Sequence, residues 1–85
     1  MNIYKVSRTD EVGYDEFDSF VVVAKSNARA RMIMPHWDCD EPIKEVVDKK
    51  YSPWIGCEEV KKLNVEFIGK AKGKERLVLC SFNAG

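Results

Sequence analysis

The 85 residues, 45% hydrophobic and 33% charged, describe one folded domain spanning 1–85 and exclude a disordered chain. Fourteen bases balance fourteen acids, which lacks the broad basic excess of a dedicated nucleic-acid binder. No run approaches the ~18 apolar residues of a membrane span, and three cysteines without framework spacing read as reduced thiols of a cytosol.

The charge is unevenly spread. Segments 1–20, 21–35, 36–59 and 60–85 carry −3, +3, −4 and +4. A chain this short buries only roughly 60 to 65% of its unfolded surface, so its core is modest and a homo-oligomer fits it.

Asn2 to Arg8 alternates polar and apolar residues, the pattern of a first strand with one polar face. A strand starting at residue 2 leaves no space for a targeting leader. Thr9 to Phe17 forms a long link with Gly13 as its permissive turn residue. Tyr14, Asp15, Glu16, Phe17, Asp18 and Ser19 then place acids, a hydroxyl and two rings at the mouth of an apolar strand, 19–24. Asp and Ser in such a turn bond nearby backbone amides and fix it. The same groups, with the rings, suit recognition of a ligand or partner.

Ser26 is the expected N-cap of a short helix that ends before Pro35, with Ala28, Met32 and Ile33 on its packed face. Arg29 and Arg31 leave that face and are candidates for an anion or a protein partner; a solvated face is the plainer reading. The spacing of Ile43, Val46, Val47 and Lys50 predicts a second short helix over 42–51, with Pro42 in its first turn and Glu45 four residues before Lys49. Trp54 and Ile55 read as a plug under a loop, and Cys57 to Lys61 as a turn. Leu63 to Ile68 alternates with period two, and Leu77 to Phe82 is apolar on both faces through Cys80. These two segments predict a closing β-hairpin with Lys70, Lys72, Lys74 and Arg76 at its tip.

The expected fold is α+β: an antiparallel sheet of about four strands, one short helix packed on a face, and an irregular or weakly helical insert. The strands at 19–24 and 77–82 are expected at its centre. Placed as neighbours, they bring the 14–19 turn and the tail with Asn83 to one rim.

His36 and Cys39 have H-x-x-C spacing, but no C-x-x-C pair or second histidine completes a zinc set. No phosphate-cradling or nucleophile motif is present. The sequence therefore predicts no enzyme, no catalytic residue, no metal and no cofactor. It predicts a binding protein, with Tyr14, Asp15, Phe17, Asp18, Ser19, Arg29, Arg31, Trp37, Trp54 and Asn83 as candidate binding residues. Trp and Tyr outside clear strand cores are frequent interface hot spots.

Several stretches together carry a resemblance. They are Gly13-Tyr14-Asp15-x-Phe17-Asp18-Ser19, Val22-Val23-Ala24, Ala30-Arg31 before Pro35-His36, Val65-x-Phe67-Ile68-Gly69-x-Ala71, and Ser81-Phe82-Asn83-Ala84-Gly85. The chain resembles a family of small tailed-bacteriophage proteins with a GYDxFDS-type turn and a C-terminal SFNAG. The resemblance spans nearly the whole chain, aligns poorly over 38–59, and transfers no catalytic residues. It implies a phage accessory protein in the host bacterial cytoplasm. A host bacterial protein, for instance one of an anti-phage defence, is the expected partner. The alternatives are a small nucleotide held as a sponge for a signal, and a structural role in the virion.

Overall fold

The computed structural model describes residues 1–10, 16–36, 38–46 and 54–83, with Glu58 and Asn83 described through their backbone only. Strand β1 (Asn2–Ser7) is followed by β2 (Glu16–Ala24), helix α1 (Asn27–Arg31), a 3-10 helix (Cys57–Lys62), β3 (Asn64–Lys70) and β4 (Arg76–Asn83). The strands form one antiparallel sheet in the order β3-β1-β2-β4. This is the expected α+β architecture of four strands and one short helix.

Alternation sets the two faces of the sheet. Tyr4 and Val6 of β1 lie opposite Val22 and Phe20 of β2, and all four are buried in the core. Phe20 is in turn opposite Cys80, and Val22 opposite Leu77. Ala30 and Ile33 cover these residues from the helical side, together with Val46, Trp54, Ile55 and Leu63. Helix α1 is capped as expected: Ser26 Oγ accepts the Arg29 N–H at 3.2 Å. Trp54 and Ile55 are the expected plug, at 0% and 3% exposure.

Four expectations are corrected. First, β3 and β4 form no hairpin, because they occupy opposite edges of the sheet. Ala71 to Glu75 crosses the ends of β1 and β2, a span of about 14 Å at three strand spacings. The Ala71 N–H donates to the Met1 carbonyl at 3.0 Å, and the Lys25 N–H donates to Glu75 Oε2 at 3.1 Å. Gly73 takes the left-handed conformation (φ 92°) that this path needs. Lys72 and Lys74 therefore belong to a strap rather than a hairpin tip, and Lys70 and Arg76 to the strand ends that it joins.

Second, β4 is an edge strand, and β1 with β2 is central. Leu77 packs in the core, but the register slips at Val78, and Leu79 returns opposite Val21 on the other face. Third, α1 buries Ala30 instead of Ala28, which is exposed. Five residues give barely more than one turn, too little for periodicity to fix the face. Fourth, residues 42–46 are not helical. The Met34 N–H donates to the Lys44 carbonyl and the Val46 N–H to the Met32 carbonyl, both at 2.8 Å, and Glu45 bridges Ile33. Pairing with the chain after α1 overrides the local helical pattern; the rest of that predicted helix, 47–51, lies outside the described residues. The expected turn at Cys57 to Lys61 is the 3-10 helix. Among the described residues no helix is long and apolar enough to cross a membrane.

The strap also gives the sheet a pH-sensitive tie. Arg29 Nε donates to Glu75 Oε1 at 3.0 Å, and Arg29 also pairs with Glu45. Burial pushes the Glu75 carboxyl up, but hydrogen bonds from Arg29 and the Lys25 N–H, with the charges of both, outweigh it. The net position is below the usual 4.5. A carboxylate depressed on folding stabilises the fold above its unfolded pKa, and that contribution is lost as pH falls through the folded value. The stability gap between wild type and Glu75→Gln should therefore shrink on acidification from about pH 6 to about pH 3. Urea titrations across that range read it; a gap that stays constant would show that Glu75 is not the group responsible.

Candidate protein-binding surface

The ends of β1 and β4 meet the start of β2 at one rim. Ser7 lies opposite Ser19, the Arg8 N–H donates to the Asp18 carbonyl at 3.0 Å, and Glu16 lies opposite Asn83. Glu16 to Ser19 thus belong to β2 rather than to the expected turn, whose residues 14 and 15 lie outside the described residues, and the start of β2 shares the rim with Asn83 through backbone pairing. The Ser19 hydroxyl donates to Asp18 Oδ1 at 2.9 Å, and both residues are half-buried. Phe17 is buried and meets Phe82 edge to face, with ring centroids 5.0 Å apart.

The organiser of this rim is a residue the sequence reading passed over. Arg8 continues the buried parity of Tyr4 and Val6, and its side chain is 0% exposed. Its Nε and Nη2 donate to the two oxygens of Asp10 at 2.8 and 2.7 Å, a planar two-bond fork. Its Nη1 lies 3.5 Å from Glu16 Oε1 and 3.5 Å from the Phe17 carbonyl oxygen, and the guanidinium carbon stands 5.9 Å from the Trp54 ring centre. The Asp10 hydrogen bonds are the main influence raising its pKa against the opposing effect of burial. The signal was available: Arg8 is the last residue on a buried parity, with acids two and eight positions on.

The other candidates are dispersed. Trp54 is fully buried, edge to face on Phe20 at 5.3 Å. Arg29 lies beyond the opposite end of β2, held by Glu75 and Glu45. Arg31 binds Asn27 Oδ1 at 2.8 Å and the Leu63 and Val60 carbonyls at 2.7 and 3.0 Å, which ties α1 to the entry of β3. These two guanidiniums act as internal clamps. Asn83 is placed by its backbone pairing alone. Tyr14, Asp15 and Trp37 lie outside the described residues.

A different surface stands out. The sheet face away from α1 carries no helix of the described chain. On it the exposed Leu79 lies beside the half-buried Val21, and Val23, itself buried at 1% exposure, beside the half-buried Ile3, whose other neighbour is Gly69. Leu79 is 63% exposed, and the bulge residues Ile68 and Val78 are 51% and 50% exposed. Lys5 and Glu66 stand opposite each other and are both exposed, so charge adjoins these apolar side chains. The exposed apolar side chains thus stand at the two edges of the sheet, Ile68 on β3 and Val78 with Leu79 on β4; exposed apolar side chains rimmed by polar ones mark interaction surfaces.

A groove between residues 39–43 and 74–76 sets Asp40 and Glu41 near Lys74 and Arg76. Arg76 Nη1 already donates to the Lys72 and Lys74 carbonyls, both at 3.0 Å. That mixed charge does not select phosphate. Cys80 contacts Cys39 and accepts the His36 N–H; burial foremost pushes its thiol up to about 11, where it is a poor nucleophile at neutral pH. Among the described residues no three His, Cys, Asp or Glu side chains group to hold a metal ion. No protein-family model matches the chain, and no curated protein or solved structure matches it.

Proposed function

We propose that this chain is a non-enzymatic bacteriophage accessory protein that binds and antagonises a protein of its bacterial host in the host cytoplasm. The observation that carries the binding role is the exposed apolar side chains at the sheet edges, Leu79, Ile68 and Val78, each at least half exposed. Burying such side chains against a partner contributes about 25 cal/mol per Å² of apolar area. The phage origin rests on the GYDxFDS and SFNAG motifs.

The test is capture from bacterial lysate with the wild-type chain and with Ile68→Lys. Ile68 is exposed on an edge strand, so lysine there leaves the core intact. The wild type should retain a stoichiometric host protein, and Ile68→Lys should retain roughly tenfold less, equivalent to about 1.4 kcal/mol. Equal capture by both proteins would refute this surface. A co-purified nucleotide with no protein would refute the function in favour of a small-molecule sponge.

A further inference from the structure

The two edges of the sheet are differently protected. Edge strands expose unpaired N–H and C=O groups, and monomeric proteins blunt them with charge, proline, bulges or a short length. Strand β3 carries Glu66 and Lys70, and its register slips against β1 between Ile3 and Tyr4. Strand β4 has Arg76 at its start and then seven uncharged residues, Leu77 to Asn83. Its own bulge is at Val78, and the second slip of this pair, at Asp18 of β2, lies opposite Ser81 and Phe82, so Leu79 to Asn83 carries no further bulge of its own. Among the described residues β2 is its sole neighbour in the sheet.

We propose that β4 pairs antiparallel with β4 of a second copy, joining two four-stranded sheets into one of eight strands. The charge distribution selects this occupant and this orientation. The chain has net charge zero, so two copies meet without net repulsion. A two-fold axis centred within Leu79 to Asn83 sets uncharged residues against uncharged residues. It also sends the two Arg76 side chains to opposite ends of the seam, whereas parallel pairing would put them side by side. The same axis, normal to the sheet, matches alternation in both copies: Leu79 and Ser81 on the open face, Cys80 and Phe82 on the core face. The contact is isologous and closes at two.

The five residues Leu79 to Asn83 supply about 17 Å of edge. This is a small interface, at the low end of specific contacts, below about 1,200 Å² in total. The expected dimer is therefore in the micromolar range. It would unite the open apolar faces of both copies into one broader platform.

Sedimentation equilibrium of the purified full chain tests this without any host protein, so it fails or succeeds independently of the proposed function. From about 1 μM to about 1 mM the wild type should pass from monomer to dimer. Ser81→Lys and Leu79→Lys, both at exposed positions, place like charges close across the seam and should each weaken the dimer by roughly tenfold or more. Asn64→Lys, at an exposed position on the β3 edge, should leave it unchanged. Circular dichroism checks that each variant is folded, and either β4 variant suffices. A wild type monomeric throughout would overturn the proposal, as would a dimer indifferent to the folded β4 variants. Open-ended growth sensitive to Asn64→Lys would overturn it too, since that is the mark of β3-to-β4 pairing.

Discussion

Trp54→Ala should lower the unfolding free energy by about 3–5 kcal/mol, which is a large part of the ~5–15 kcal/mol available to a domain. Trp54 is one of the largest fully buried side chains, and it joins the segment before the 3-10 helix to the sheet through Phe20. Its ring contact with Phe20, 72° from parallel, is a T-shaped pair worth about 0.5–1.5 kcal/mol beyond burial. Alanine removes that contact and leaves a cavity between layers that only partly collapses. Trp54→Phe is the informative companion. The Trp54 Nε1 is buried and, among the described residues, has no hydrogen-bond partner. Phenylalanine keeps a ring on Phe20 and removes a donor whose burial is unfavourable. Its loss should be less than half that of alanine. Urea denaturation followed by circular dichroism measures both. A loss below about 1 kcal/mol for Trp54→Ala would show that the core does not depend on this plug.

Arg8→Met should be almost as damaging, at about 3–5 kcal/mol. The cation–π contact with Trp54 contributes about 0.5–1 kcal/mol, so it cannot account for a loss of that size. The larger effect comes from the carboxylates. Asp10 is 36% exposed in its side chain and can return to water, but Glu16 is 11% exposed and cannot easily do so. Removing the guanidinium strips Glu16 of this cation while keeping it buried. Neutralising the acid in the same chain should therefore restore stability: Arg8→Met with Glu16→Gln should be more stable than Arg8→Met alone. Strictly additive losses in that double-mutant cycle would mean that the two side chains do not interact.

What the sequence disclosed depended on range. Alternation marked β1, the apolar run marked β2, and Ser26 marked the start of α1, because each signal lies within a few residues of what it specifies. The position of β4 was not legible. An apolar stretch such as Leu77 to Cys80 is compatible with burial on both faces or with one face left uncovered, and only the partner strand decides. Here the partner is β2, more than fifty residues earlier. Residues 42–46 failed for the same reason, since a helical spacing of Ile43 and Val46 was overruled by pairing with Met32 and Met34. In the candidate site, rings and acids were given more weight than parity. Parity would have placed Arg8 inside and shown that Phe17 and Trp54 belong to the core. The exposed apolar side chains escaped notice because they come from two strands, β3 and β4, whose edge positions only the sheet order reveals.

The strap from β3 to β4 also dictates an order of assembly. Strands β1 and β2 are consecutive and can pair as soon as residue 24 exists, but β3 must return across more than fifty residues to reach β1. Closure of the sheet waits for the final strand, because Phe17 finds its partner only at Phe82. A chain still being synthesised therefore holds β2 with one side unpaired until Arg76 to Asn83 have been made. Such non-local pairing places the protein among slow-folding topologies despite its small size.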